Sequence, residues 1–253
     1  MAGRGRVLVI AGSDSGGGAG IQADIKAITG MGGFAMTAIA ALTAQNTLGV
    51  TGVHPVPVEF VLAQMDAVIS DIGVDAVKIG MVGGPDIVHA VADRLEAMPG
   101  VPLVFDPVMV ATSGSVLADA ATIAAFGRLM RLAAVTTPNL PELAALGGEA
   151  AVRGHGCALL MKGGHAEGDE IVDRLIDADG GETVWRDRRI ATTADHGTGC
   201  TLASAIACGL AEGRPLTEAV DRARAYVRAA LSCAPGLGAG RGPMGFPLEP
   251  FRP

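Results

Sequence analysis

The feature that most constrains this chain is an alternation: short, continuously apolar runs, each followed by an Ala-rich stretch with apolar residues three and four apart. The runs RVLVIAG, AVKIGM, VPLVFD, LAAVTT and CALLMKG lack the polar–apolar alternation of a half-exposed strand, so they read as strands covered on both faces. AGIQADIKAITGM, PVEFVLAQMDAVISD, PDIVHAVADRLEAM and ADAATIAAFGRLMRL read as helices. Alternation of this kind builds a parallel sheet with helices on both faces, an α/β fold. DEIVDRLIDADGGETVWRDRRI breaks the rhythm: it predicts a hairpin about Asp179-Gly180-Gly181 that extends the sheet with antiparallel strands. Two further helices are expected, Thr198 to Glu212 and Leu216 to Cys233, and then a Gly/Pro-rich tail, loosely ordered from about 235. With no internal repeat and no linker, residues 1–253 are expected to form one domain.

Composition narrows the function classes. Hydrophobic residues make up 49% of the chain and mean hydropathy is +0.41. Yet no apolar run approaches the ~18 residues of a membrane span. MAGRGRVLVIAG resembles a signal peptide only faintly, since its apolar run is short and leads into a Gly-rich loop. A cytoplasmic protein is expected. Net charge is −7 with no basic run, which argues against nucleic acid or an anionic membrane as partner. Cys157, Cys200, Cys208 and Cys233 show no paired spacing and read as free thiols; His155-Gly156-Cys157 lacks the second half of a zinc site.

Ligands of open parallel sheets sit beyond the carboxyl ends of the strands. There this sequence writes AGSDSGGGAG, KIGMVGG, FDPVM, TTPNLPE and MKGGH. GAGIQA matches a loose dinucleotide fingerprint, but its glycines come late and no acid lies between Asp24 and Glu59; no GxxxxGK[ST] is present either. Asp24, at the edge of the first helix's apolar stripe, is either a dipole partner of the helix start or a pocket ligand. Gln45 ends an apolar run at the same rim, where an amide can read a ring nitrogen and an amino group together or merely cap a turn. Asp106 ends a buried strand and Asn139-Leu-Pro-Glu142 opens a helix. Together they offer two carboxylates to Mg²⁺, though Glu142 equally suits a first-turn helix acid. The ammonium groups are scarce, at Lys26, Lys78 and Lys162 alone, and all fall in motif-like stretches. Gly197, Thr198 and Gly199 leave bare N–H groups at a helix start, suited to phosphate. Cys200 there is either a thiol of lowered pKa, able to act as base or nucleophile, or a small buried residue such as Cys208.

AGSDSGGGAGIQADIKA, AALTAQNTLGV, VKIGMV, DPVM, TPNLPE, KGGH and HGTGCTLASAIA, in that order, resemble the hydroxymethylpyrimidine/phosphomethylpyrimidine kinases of thiamine biosynthesis, within the ribokinase-like superfamily. The resemblance runs nearly end to end. It implies ATP- and Mg²⁺-dependent phosphorylation of a hydroxymethyl group on an aminopyrimidine, then of the monophosphate, by a homodimer. By likeness, Gly12, Asp24 and Gln45 hold the pyrimidine and Val108 lines its pocket. Asp106, Glu142 and Asn139 serve metal and phosphates, and Lys162 the nucleotide phosphates. Gly197 to Cys200 form an anion hole, with Cys200 as the base that takes the hydroxyl proton. One departure stands out: Leu146 to Cys157 spans only GGEAAVRGHG, where relatives place an additional helix. Pyridoxal or pyridoxine kinase, on the same scaffold, and a non-catalytic pyrimidine-binding protein are the alternative readings.

Overall fold

A computed structural model describes residues 4–111, 114–165 and 168–247. Among these, nine strands form one sheet: β1 (Arg6–Asp14), β2 (Phe34–Asn46), β3 (Gly49–Pro55), β4 (Ala76–Ile79), β5 (Leu103–Phe105), β6 (Val135–Thr136), β7 (Ala158–Met161), β8 (Glu170–Ile176) and β9 (Glu182–Arg188). Their order is β3-β2-β1-β4-β5-β6-β7-β8-β9. The middle, from β2 to β7, is parallel, and β3, β8 and β9 add antiparallel edges. The fold class and the β8–β9 hairpin are as the sequence predicts.

Period two along each strand divides the apolar residues between two cores. Leu8 and Ile10, Val77 and Ile79, and Leu103 and Phe105 face one layer of helices: α2 (Val58–Asp71), α3 (Pro85–Glu96) and α4 (Ala120–Leu132). Phe105 meets Phe126 of α4 edge to face, centroids 5.1 Å apart, a geometry worth about 0.5–1.5 kcal/mol beyond area burial. Val7 and Val9, Ala76, Val104 and Leu160 face the other layer, α1 (Gly20–Gly30), α7 (Thr198–Ala211) and α8 (Leu216–Ser232). The same alternation turns Lys78 of β4 away from Val77 and Ile79, toward α1 and α7. Because β1 and β4–β7 run parallel, their carboxyl ends deliver Asp14, Met81, Asp106, Thr137 and Lys162 to one edge of the sheet.

Three features differ from expectation. Residues 34–55, left without an element above, form the β2–β3 hairpin: β2 continues past the end of β1 and turns where Asn46 Oδ1 accepts the Leu48 and Gly49 N–H groups at 2.9 and 3.2 Å. Between α5 (Leu140–Ala145) and β7 the shortened segment still contains a five-residue helix, α6 (Glu149–Arg153). The tail is irregular but tied down through residue 245: Met244 is buried, Arg241 N–H donates to Thr47 O at 3.0 Å, and Gly245 N–H donates to Ala230 O at 3.0 Å. Its last residues, 248–253, lie outside the described residues.

Candidate active site

A cleft of about 1090 Å³ opens over the carboxyl ends of the central strands. Gly12, Gln45, Val108, Asp106, Asn139, Glu142, Lys162 and the Gly197–Cys200 turn all line it. The sequence therefore brought together residues up to 188 positions apart, from Gly12 to Cys200.

The turn before α7 is built by glycine. Gly197 sits in the left-handed region at φ +85°, and a Cβ there would run into the Gly18 carbonyl oxygen, so no other residue fits. The helix that follows has 14 residues. Its start supplies no i−4 carbonyl for the Gly199 and Cys200 N–H groups, which leaves them, with the positive end of the helix dipole, for an anion. A Cβ placed on Gly199 would lie 3.3 Å from Lys162 Nζ and 3.5 Å from Asp106 Oδ2. The glycine turn and the charged strand ends are thus in van der Waals reach of each other.

Those strand ends form one cluster. Lys162 Nζ donates to Asp106 Oδ1 at 2.7 Å and stands 3.9 Å from Glu142 Oε2, and Thr137 Oγ1 donates to the same Asp106 oxygen at 3.1 Å. Burial works against the Lys162 charge, but the two carboxylates prevail and hold its pKa above the usual lysine range. Burial pushes Glu142 up, against the pull of Lys162. Both readings of Glu142 hold at once: it closes a capping box on α5, exchanging 2.8 Å hydrogen bonds with Asn139, while it lines the cleft. Asn139 spends its side-chain oxygen on this cap.

Two sequence expectations are corrected. The Cys200 thiol is not lowered by the helix start: burial pushes it up to about 11, with Asp24 and Asp106 adding to the rise and Lys78 opposing it. Asp24 is not at the cleft. It is fully buried beneath it, where Lys78 Nζ donates to both carboxylate oxygens at 2.9 and 3.0 Å and Ser204 Oγ donates to Oδ1 at 2.7 Å. The carboxylate ties α1 to β4 and α7. Helical periodicity placed Asp24 at the edge of the apolar stripe; it could not show that a lysine from another element meets it there.

Sequence reasoning missed the rim that surrounds Gln45. Asp14 accepts the N–H groups of Gly16, Gly18 and Ala19 at 2.8, 3.1 and 2.9 Å, which shapes the Gly-rich loop. His196 Nε2 lies 2.9 Å from Asp14 Oδ2 and 3.1 Å from the Gln45 amide nitrogen. An Asp ahead of a glycine run is a known loop-capping signal. His196 carries no such local mark, and its partners lie 151 and 182 residues away.

The fold has close counterparts. The phosphomethylpyrimidine kinase family model matches residues 14–245. A hydroxymethylpyrimidine/phosphomethylpyrimidine kinase from Rhizobium meliloti is 50% identical over 94% of this chain and 95% of its own. The thiamine biosynthesis bifunctional protein ThiED from Geobacter sulfurreducens is 47% identical over 95% of this chain, which spans 52% of that longer protein. Among solved structures, the ADP complex of Bacillus subtilis pyridoxal kinase superposes with a TM-score of 0.88 at 30% identity, covering 96% of this chain and 97% of that one. Phosphomethylpyrimidine kinase from Clostridium difficile gives 0.75 at 37% identity, covering 89% of this chain and 98% of that one. A match over this span and at this identity leaves one conclusion: the chain belongs to the phosphomethylpyrimidine kinase family, phosphotransferases on a ribokinase-like fold.

Proposed function

We propose that the protein transfers the terminal phosphoryl group of ATP to the hydroxymethyl group of 4-amino-5-hydroxymethyl-2-methylpyrimidine, and then to the monophosphate, in thiamine biosynthesis. The observation that carries this reading is the approach of the Gly197–Cys200 turn to Lys162 and Asp106 in the cleft that also exposes Gln45. Gln45, with Gly12 and Val108 beside it, holds the ring. The Gly199 and Cys200 N–H groups and Lys162 hold the phosphoryl oxygens as charge redistributes. Phosphoryl transfer through a loose transition state needs mainly position and charge stabilisation, so a neutral Cys200 thiol is compatible with it.

The donor set also fits Mg²⁺. Asp106 and Glu142 are hard, buried carboxylates on one cleft wall, and among the described residues no cluster of three acidic, His or Cys ligands forms a closed cage. Mg²⁺ is held by one or two carboxylates and otherwise by phosphates and water. Asp106 and Glu142 would hold it, Asn139 keeping the Glu142 carboxylate in place. When bound, the ion neutralises phosphate charge.

No helix among the described residues is long and apolar enough to cross a membrane. Four free cysteines suit the reducing cytoplasm. Edge strand β3, with Val53 exposed, and the exposed Leu48 of the turn before it form the surface that supports a homodimer. The higher superposition score of the pyridoxal kinase favours a second reading, phosphorylation of a pyridine alcohol. Parallel assays with Mg²⁺-ATP separate the two: faster ADP release with the aminopyrimidine, and a product heavier by one and then two phosphates, is expected. Faster turnover of pyridoxal would reverse the substrate assignment.

A further inference from the structure

The hydrogen bonds around Gln45 contain a contradiction that decides how its amide is turned. Asp14 is buried and accepts three backbone N–H groups. Although burial opposes it, its contacts with His196, Ala19 and Gly16 hold its carboxyl below the usual range, so it is an ionised acceptor. His196 Nε2, 2.9 Å from Asp14 Oδ2, must therefore carry a proton and donate it. The Gln45 amide nitrogen sits 3.1 Å from that same ring nitrogen. As placed, two donors face each other. On the other side Thr43 Oγ1 lies 2.9 Å from Ser13 O and 3.1 Å from Gln45 Oε1, two acceptors for one hydroxyl proton.

Turning the amide over replaces the facing donors with one His196 proton shared by two acceptors, and leaves the Thr43 hydroxyl proton a single acceptor. Amide oxygen and nitrogen cannot be told apart by shape, so their assignment rests on the hydrogen-bond network. With Oε1 toward His196, the amide oxygen shares the Nε2 proton with Asp14. With Nε2 toward Thr43, the amide donates to a hydroxyl that donates in turn to Ser13 O. His196 itself has little room to adapt. Its ring packs against Gly18, where a Cβ would collide with Cδ2, and its backbone N–H donates to Gly242 O at 3.1 Å.

We propose that His196 and Thr43 fix the handedness of the Gln45 amide, and so set which ring edge the site accepts. The flipped amide retains one N–H and one oxygen lone pair beyond those its neighbours use. Side by side, these match a ring nitrogen acceptor adjacent to an exocyclic amine. They do not match a pyridine edge without that amine. His196 and Thr43 are positioning residues; Gln45 is the residue that meets the ring. This rests on the reading of Gln45 given under Proposed function.

The test uses the full chain and four variants: Gln45→Ala, Thr43→Val, Thr43→Ser and His196→Gln. KM and kcat are measured for the hydroxymethyl aminopyrimidine and for an analogue with hydrogen in place of the 4-amino group, with melting temperature as control. Thr43→Val is expected to raise KM for the aminopyrimidine about tenfold, the weight of one lost hydrogen bond, and to change KM for the analogue less than about threefold. Thr43→Ser, which keeps the hydroxyl, and His196→Gln, which keeps a side-chain N–H, should restore most of the discrimination. A purely structural role would affect both substrates alike and would track the melting temperature. If Gln45→Ala abolishes discrimination while Thr43→Val preserves it, the handedness proposal is overturned and the Gln45 reading stands. If Gln45→Ala leaves KM for the aminopyrimidine unchanged, both fall.

Discussion

Replacing the thiol and replacing one backbone N–H of the α7 turn should have unequal consequences. Cys200 is pushed up to about 11. At pH 7.5 such a thiol is ionised in only about 3 × 10⁻⁴ of molecules, so no standing thiolate serves as base. Cys200→Ser preserves the helix start and should lower kcat by less than about tenfold, well short of the 10²–10⁴ typical of a lost general base. Gly199→Pro deletes one anion donor and, by analogy with oxyanion-hole donors, should lower kcat by about 10²–10³, or roughly 2.7–4 kcal/mol of transition-state stabilisation. Proline is tolerated in the first helical turn, where its N–H is not needed. Gly199→Ala separates donor loss from crowding, because it keeps the N–H and adds a Cβ 3.3 Å from Lys162 Nζ. The assay is steady-state ADP release at saturating Mg²⁺-ATP and pyrimidine, with circular dichroism to confirm folding. A Cys200→Ser enzyme slower than a folded Gly199→Pro enzyme would refute the view that backbone outweighs thiol.

Two further outcomes follow from the buried charges. Lys78→Met leaves Asp24 without its ion-pair partner in a fully buried position; loss of one partner costs about 3–5 kcal/mol, a fall in Tm of roughly 6–20 °C for a chain of this size. Burial alone then raises the Asp24 carboxyl further above its unfolded value, so the stability it retains is present at low pH and lost as pH rises. Denaturant titrations should show the variant closer to wild type at pH 5 than at pH 8, and the opposite order would contradict the assignment. Alkylation of Cys200 by iodoacetamide, followed by peptide mass spectrometry, should accelerate up to about pH 11; a plateau near pH 8 would mean an activated thiol.

Legibility from sequence followed locality. The strands β1 and β4–β7 show as continuous apolar runs and the helices α1–α4, α7 and α8 through apolar periodicity, and Asp106 and Lys162 sit where their own strands end. The β2–β3 hairpin did not, because β2 is rich in alanine and only four of its 13 residues are buried, so neither periodicity is clean. The same limit governs the site. Gly197, Gly199, Asp106, Glu142 and Lys162 are marked by turn and cap chemistry, which is local. Asp24 and Cys200 depend on what lies across the sheet: a lysine from β4 in one case, the loss of water in the other. His196, Asp14 and Thr43 acquire their meaning only from mutual hydrogen bonds, which no single segment encodes.

The central claim is that the turn before Cys200 and the cluster of Lys162, Asp106 and Glu142 act on one terminal phosphate. A crystal structure with AMP-PCP, Mg²⁺ and the hydroxymethyl aminopyrimidine tests it most directly. The terminal phosphate should accept hydrogen bonds from the Gly199 and Cys200 N–H groups and from Lys162, in line with the hydroxymethyl oxygen of a ring held by Gln45. A phosphate seated elsewhere in the cleft, with that turn left unengaged, would contradict the account.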